Sequence, residues 1–176
     1  MAVTIDTTVG GASANSFSSL AEAQAYLDGK LPSPTAWDAA VADTQNRALV
    51  SATRWLCRLP WIGQRVDATQ ALEWPREYAL DPDDPDGNDF DTDELPQAVK
   101  DATAELASLM VAAGTTDIAG LDPNDGVKRK KVDVLETEFF EPFHRVTGLD
   151  KYPTVSELIA DLLESTGGPS VRVVRA

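Results

Sequence analysis

Three tryptophans constrain this chain more than any other feature. Trp55, Trp61 and Trp74 fall within twenty residues of one another, inside a segment running from residue 45 to residue 76. An indole buries on the order of 200 Å2 of surface, so this segment is expected to supply a large share of the core. Ala48, Leu49, Ala52, Leu56 and Leu59 recur at three- and four-residue intervals and share one helical face. Thr44 is the expected N-cap of that helix, and Pro60 stops it, since its ring and missing N–H cannot continue the ladder. Pro75 biases Trp74 towards extended backbone, with the indole inward and Arg76 pointing elsewhere. The alternative use of these aromatics is stacking on a base or another ligand.

The 176 residues suit one domain, 1–176, with an N-terminal arm (1–15), a helical core (16–114), a strand region (127–140) and a C-terminal tail (170–176). A formal net charge of −14 makes the chain a poor binder of free nucleic acid unless its basic residues segregate on one face. The single cysteine, Cys57, cannot form an internal disulfide and reads as a buried small hydrophobe. No run of eighteen apolar residues is present, so no membrane contact is expected. Neither a signal peptide nor any location other than the cytoplasm is expected for the newly made chain.

Taken in order, Val3-Thr4-Ile5 alternates like a short strand, and a Gly/Ser/Ala loop follows. Ser19-Leu20-Ala21-Glu22 matches a capping box opening a helix that buries Leu20, Ala23, Tyr26 and Leu27 and ends at Gly29. A short helical turn surrounds Trp37. Residues 81–94 (DPDDPDGNDFDTDE) form an acidic loop that turns at Asp86-Gly87-Asn88. Leu95-Pro96 then opens a helix with Val99, Ala102, Leu106, Leu109, Met110 and Ala113 in one stripe and Gly114 as its stop. From Lys130 to Phe140 the sequence alternates as a half-exposed strand. Thr154-Val155-Ser156-Glu157 reads as a second capping box, and the chain ends in Val171, Arg172, Val173, Val174, Arg175 and Ala176. The fold class predicted is mainly α: a small bundle of three to four helices with a short β-strand region in the C-terminal half. Trp37, Leu49, Trp61, Trp74 and Leu106 are its expected core, joined by Met110 and by Trp55 or Leu56.

The chemistry of enzymes is absent from the motifs. There is no Gly-rich phosphate loop, no Cys/His metal spacing and no nucleophile elbow. The lone histidine, His144, sits among aromatics, where a packed or surface role is commoner than catalysis. Asp84, Asp86 and Asn88 place oxygens at alternate positions, but the calcium-loop pattern fails because Asp89 and Leu95 stand where Gly and Glu are needed. A non-enzymatic protein without metal or cofactor is expected. Lys128-Arg129-Lys130-Lys131, the one basic run, could touch nucleic acid or an acidic partner, although its acidic flanks suit a solvated junction. Subunit or partner contacts are expected from Asp84, Asp86, Asn88, Asp89 and Phe90 in the acidic loop, and from Lys130, Lys131, Val132 and Val134 in the strand region, because contacts concentrate on such projecting segments.

A series of short motifs also resembles a known family. They are Asn15-Ser16-Phe17-Ser18-Ser19-Leu20-Ala21-Glu22-Ala23 with Tyr26, then Trp37, then Ala48-Leu49-Val50-Ser51-Ala52-Thr53-Arg54. Trp61-Ile62-Gly63-Gln64-Arg65, Gln70-Ala71-Leu72-Glu73-Trp74-Pro75-Arg76 and Leu95-Pro96-Gln97-Ala98-Val99-Lys100-Asp101-Ala102 with Glu105-Leu106-Ala107 complete the series. Their order, over residues 15–110, resembles the head–tail adaptor (connector, head-completion) proteins of tailed bacteriophages, some members of which are called DnaT-like. Cys57 departs from the pattern, standing where a polar residue is usual. The resemblance implies a homo-oligomeric ring, usually of twelve copies, at the head–tail interface of the virion. Such a ring sits under the portal protein, meets a downstream tail or head-completion protein, and lets DNA pass through its lumen without sequence-specific binding. Val171 to Ala176 is then the candidate portal contact, an apolar strand with two arginines suited to strand addition; the same segment could instead complete a sheet of its own. The DnaT-like name implies single-stranded DNA binding, which the acidic charge disfavours.

Overall fold

The computed structural model describes residues 2–115, 129–132, 135–138 and 148–164. They form α1 (Leu20–Asp28), α2 (Thr35–Asp38), α3 (Ala42–Leu56), β1 (Gln64–Arg65), β2 (Arg76–Glu77), α4 (Gln97–Ala113), β3 (Arg129–Val132), β4 (Leu135–Glu138) and α5 (Pro153–Ile159). The fold is mainly α, with a small antiparallel two-stranded sheet in its C-terminal half.

The helix at the centre is α4, with α3, α1, α2 and α5 all packed against it. Its composition explains the position. Ala102, Ala104, Ala107 and Ser108 are buried beside Val99, Leu106 and Met110, and side chains this small let neighbours approach on several sides. The predicted single stripe is therefore too narrow at the middle of the helix and too long at its end, where Ala113 is exposed. Thr103, buried, donates its hydroxyl to Val99 O at 2.7 Å, and Gly114 ends the helix in the left-handed conformation at φ 65°.

Two charged clips fix α4 to α1 and to the chain just after it. Buried Glu105 receives both its hydrogen bonds from the Lys30 ammonium. Lys100 Nζ reaches Glu22 Oε1 at 2.9 Å. Glu22 also completes the expected capping box, accepting from Ser19 N at 2.9 Å while its own N–H bonds Ser19 Oγ. Burial alone would raise the Glu22 carboxyl, but the Ser19 donors and Lys100 outweigh it and hold the group down at about 2.

Several local expectations are corrected. Val41, not Thr44, is the N-cap of α3, and its carbonyl takes the Thr44 and Gln45 amides at 2.9 and 3.2 Å. The helix stops at Leu56, ahead of Pro60, because Pro disfavours helical backbone in the residue before it; Arg58 and Leu59 already close tighter turns. Residues 3–5 form no strand. The arm is instead held by side chains: Val3 N donates to Asp43 Oδ1 at 2.9 Å, and Asn46 Nδ2 donates to Val3 O at 3.1 Å. At α5 the cap is Tyr152, with Pro153 in the first turn where its missing donor costs little, so Thr154 forms no capping box. The alternating segment is a hairpin of β3 and β4 in register Arg129↔Glu138 to Val132↔Leu135 rather than one strand. Cys57 is half-buried, and burial pushes its thiol up.

Trp37, Leu49, Trp61, Trp74 and Leu106 are all buried, as are Leu56 and Met110. Trp74 meets Trp61 edge-to-face at 5.8 Å and Phe90 at 5.6 Å. Trp74→Ala is expected to destabilise the fold by about 3–5 kcal/mol, as truncation of a core aromatic does; a denaturant midpoint equal to wild type would contradict this packing. The depressed Glu22 carboxyl stabilises the fold above pH of about 4.5, and that contribution is lost as pH falls towards about 2. Glu22→Gln should lower thermal stability at pH 7 and flatten its fall between pH 5 and pH 2, which melting curves across that range would reveal.

Candidate functional site

The tryptophan turn is built round one guanidinium. Arg76 is 8% exposed, contrary to its expected outward course. Its Nε donates to Ile62 O at 2.6 Å and Nη2 to Gly63 O at 2.8 Å, while Nη1 bonds Glu73 Oε2 at 2.9 Å. A planar fork with five donors can tie these separated acceptors together, which an ammonium cannot. The resulting β1–β2 ribbon pairs Gln64 with Glu77 and Arg65 with Arg76. At Gly63 (φ 70°) a Cβ would stand 2.4 Å from Glu77 O, so no larger residue fits this crossing. Buried Gln70 braces the outer side by donating to Leu72 O at 2.8 Å and Pro75 O at 3.1 Å.

This ribbon delivers the acidic loop. Tyr78 adopts positive φ (57°) and is 70% exposed; Leu80 is also exposed, with Ala79 buried between them. The chain then leaves as the loop of residues 81–94, which contains eight carboxylates and no basic residue. The loop is internally ordered. Asp84 Oδ1 accepts from Asp86 N at 2.8 Å and Asp84 Oδ2 from Asn88 Nδ2 at 2.9 Å, bonds that hold the Asp84 carboxyl below its usual range. Asp81 N returns to Asn88 O at 3.0 Å, and Phe90 N to Ala79 O at 2.9 Å. Among the described residues no ion pair involves a carboxylate of this loop, and no acidic or histidine cluster has a metal-holding arrangement.

The expected contact residues therefore divide. Asp86, Asn88 and Asp89 are exposed and presented outward, while Asp84 is partly enclosed by the turn that it makes. Phe90 is half-buried, with its ring packed edge-to-face on Trp74, so it anchors the loop to the core. Lys130, Lys131 and Val132 lie on β3 opposite Thr137, Glu136 and Leu135. Val134, His144 and the tail Val171, Arg172, Val173, Val174, Arg175 and Ala176 lie outside the described residues.

A second surface escaped the sequence reading. Arg54, in the last turn of α3, and Arg58, just beyond it, are exposed on either side of the half-buried Trp55. With Ser51 and Met110 they line a cleft of about 200 Å3. Trp55 is held edge-to-face against Tyr152 at 6.0 Å, so α5 fixes the indole. Neither arginine has an ion pair among the described residues. Two arginines flanking Trp55 were the available signal; the core role expected of that indole was set ahead of the stacking role that was its alternative.

The family model described as "Putative DnaT-like ssDNA binding protein" matches residues 1–176. The chain belongs to that family. No curated protein matches it, and no solved structure does. In this DnaT-like chain, residues of the matching motifs, among them Phe17, Leu49, Thr53, Trp61, Trp74, Arg76 and Glu105, are buried scaffold. Arg54 closes one of these motifs and is exposed, while Arg58 and the acidic loop lie outside them.

Arg76→Lys is expected to lose about 2 kcal/mol of stability, since it leaves buried carbonyls of the turn without donors. Urea denaturation of the variant checks this, with Arg47→Lys, at an exposed helical pair, expected to stay within about 0.5 kcal/mol of wild type.

Proposed function

We propose that this DnaT-like chain is a structural adaptor of a tailed phage, assembling as a ring, of about twelve copies by resemblance, beneath the portal. In that role it extends the DNA channel and docks the tail. The observation that supports the reading most is the acidic loop: eight carboxylates without a described cation, ordered by their own turns and anchored through Phe90 to the buried Trp74. A loop pre-organised at this cost in like-charge repulsion suits contact with another chain. The resemblance carried by residues 15–110 supplies the ring and the portal. A net charge of −14 per copy would keep phosphates from adhering to a shared lumen, so DNA could slide through it.

The second reading is single-stranded DNA binding, favoured by the family description and by Trp55 between two exposed arginines that have no ion pair among the described residues. An aromatic platform flanked by guanidinium groups is how many single-strand binders hold bases and phosphates. It is the weaker reading because two arginines make a short cationic track on an acidic body.

Negative-stain imaging of the purified chain mixed with portal protein, alongside fluorescence anisotropy with a labelled oligonucleotide, separates the two. Rings on the portal with no oligonucleotide binding are the expected result. A chain that ignores portal and binds oligonucleotide, losing at least tenfold in affinity on Arg54→Ala/Arg58→Ala, would replace the adaptor reading with the second.

A further inference from the structure

We infer that the Arg54–Trp55–Arg58 cleft is the seat for the acidic loop of a second copy of this chain, with Asp89 and Asp91 set against the two guanidiniums. The inference deepens the ring reading and rests on it for the presence of a neighbouring copy. Each surface lacks what the other carries. Arg54 and Arg58 are exposed without a described ion pair, and so are Asp89 and Asp91. Arg54 lies in the last turn of α3, and Arg58 sits just beyond it on a turn closed by its N–H on Trp55 O at 3.0 Å. Asp89 forms an isolated antiparallel bridge with Leu80, and Asp91 follows two residues on. Phe90 lies between the two aspartates with its ring fixed on Trp74. Asp89 and Asp91 are exposed on either side of it, so both carboxylates are open to a partner. Carboxylates meeting guanidiniums form charge-assisted and geometrically demanding bonds, and ordering them beforehand lowers the entropic cost of association.

The apolar parts match as well. Tyr78 and Leu80 are exposed at 70% and 53% at the foot of the loop, and Trp55 and Met110 line the cleft. A large aromatic beside paired charges is the composition of an interface centre. The two surfaces are different parts of one chain, so their contact is head-to-tail; repeated from copy to copy it closes into a ring when the rotation permits, or runs on as a filament. A single nucleic-acid strand suits the cleft less well. Its phosphates recur at every nucleotide and call for a longer series of cations than Arg54 and Arg58 provide.

The experiment is a charge exchange in the full chain, read by light scattering with and without portal protein. Arg54→Glu/Arg58→Glu and Asp89→Lys/Asp91→Lys each reverse exposed groups, and matching melting curves would establish that both variants fold. Each alone is expected to lose the assembled species and to scatter as one chain of 18.9 kDa. Mixing the two, or placing all four substitutions in one chain, is expected to restore assembly. Assembly restored in this way into open filaments that ignore portal would support the contact and remove the adaptor reading. Rings that persist in both variants would overturn the contact and leave the adaptor reading standing. Absence of any assembled wild-type species, with portal or without, would overturn both. Oligonucleotide binding lost in Arg54→Glu/Arg58→Glu but unchanged in Asp89→Lys/Asp91→Lys, with no assembly to restore, would overturn the contact in favour of nucleic acid.

Discussion

The guanidinium of Arg76 reinforces the joint between the Trp61–Gly63 turn and the chain around Trp74, which the β1–β2 pairing and the ring contact also hold. It satisfies carbonyls of the turn and the Glu73 carboxylate at once from a largely buried position. Because an unmet buried carbonyl costs roughly 1–3 kcal/mol, the turn and the second half of the ribbon are stable only as a pair. Trp61 and Trp74 then meet edge-to-face, and Phe90 closes on Trp74. The order in the acidic loop thus descends from a cation placed far inside it. The outer surface inherits its shape from the interior.

Most of the helical architecture was legible because periodicity and caps report local physics. Ser19 and Glu22 satisfy each other's backbone donors within four residues, and Gly114 ends α4 in a conformation that glycine adopts freely. Burial of Trp37, Leu49, Trp61, Trp74 and Leu106 followed from size and spacing. What could not be read was long-range. No pattern around residue 105 states that Glu105 will be covered and met by Lys30, seventy-five positions away. A charged letter at 76 reads as surface until the carbonyls that surround it are known. Thr44 and Thr154 both have the composition of caps, yet Val41, three residues before the first, and Tyr152, two residues before the second, took the positions.

The same division applies to the candidate site. The acidic loop announced itself by composition, and its turn at Asp86-Gly87-Asn88 was visible in the residue types. The contact of Phe90 with Trp74 was not, because an aromatic among aspartates gives no sign of what lies beneath it. Arg54 and Arg58 were hidden for the converse reason. Trp55 drew the reading inward, whereas Tyr152, from a distant part of the sequence, holds that indole with one edge at the surface. Family membership across residues 1–176 adds a shared scaffold to this picture, and the surfaces that differ from scaffold are where the two functional readings part.

The covering of Glu105 has a consequence for how the molecule senses its electrolyte. Glu105 is 3% exposed and its partner Lys30 30% exposed, so dissolved salt weakens their attraction less than that between groups standing fully in solvent. The carboxylates of residues 81–94 stand in solvent, where the Debye length shrinks from about 30 Å at 0.01 M to about 3 Å at 1 M. Ionic strength therefore acts more strongly on the outside of this protein than on its inside. Across that range the helices keep one arrangement while the reach of the surface field contracts about tenfold, so the spacing at which two copies begin to feel one another is set by the solution and not by the fold.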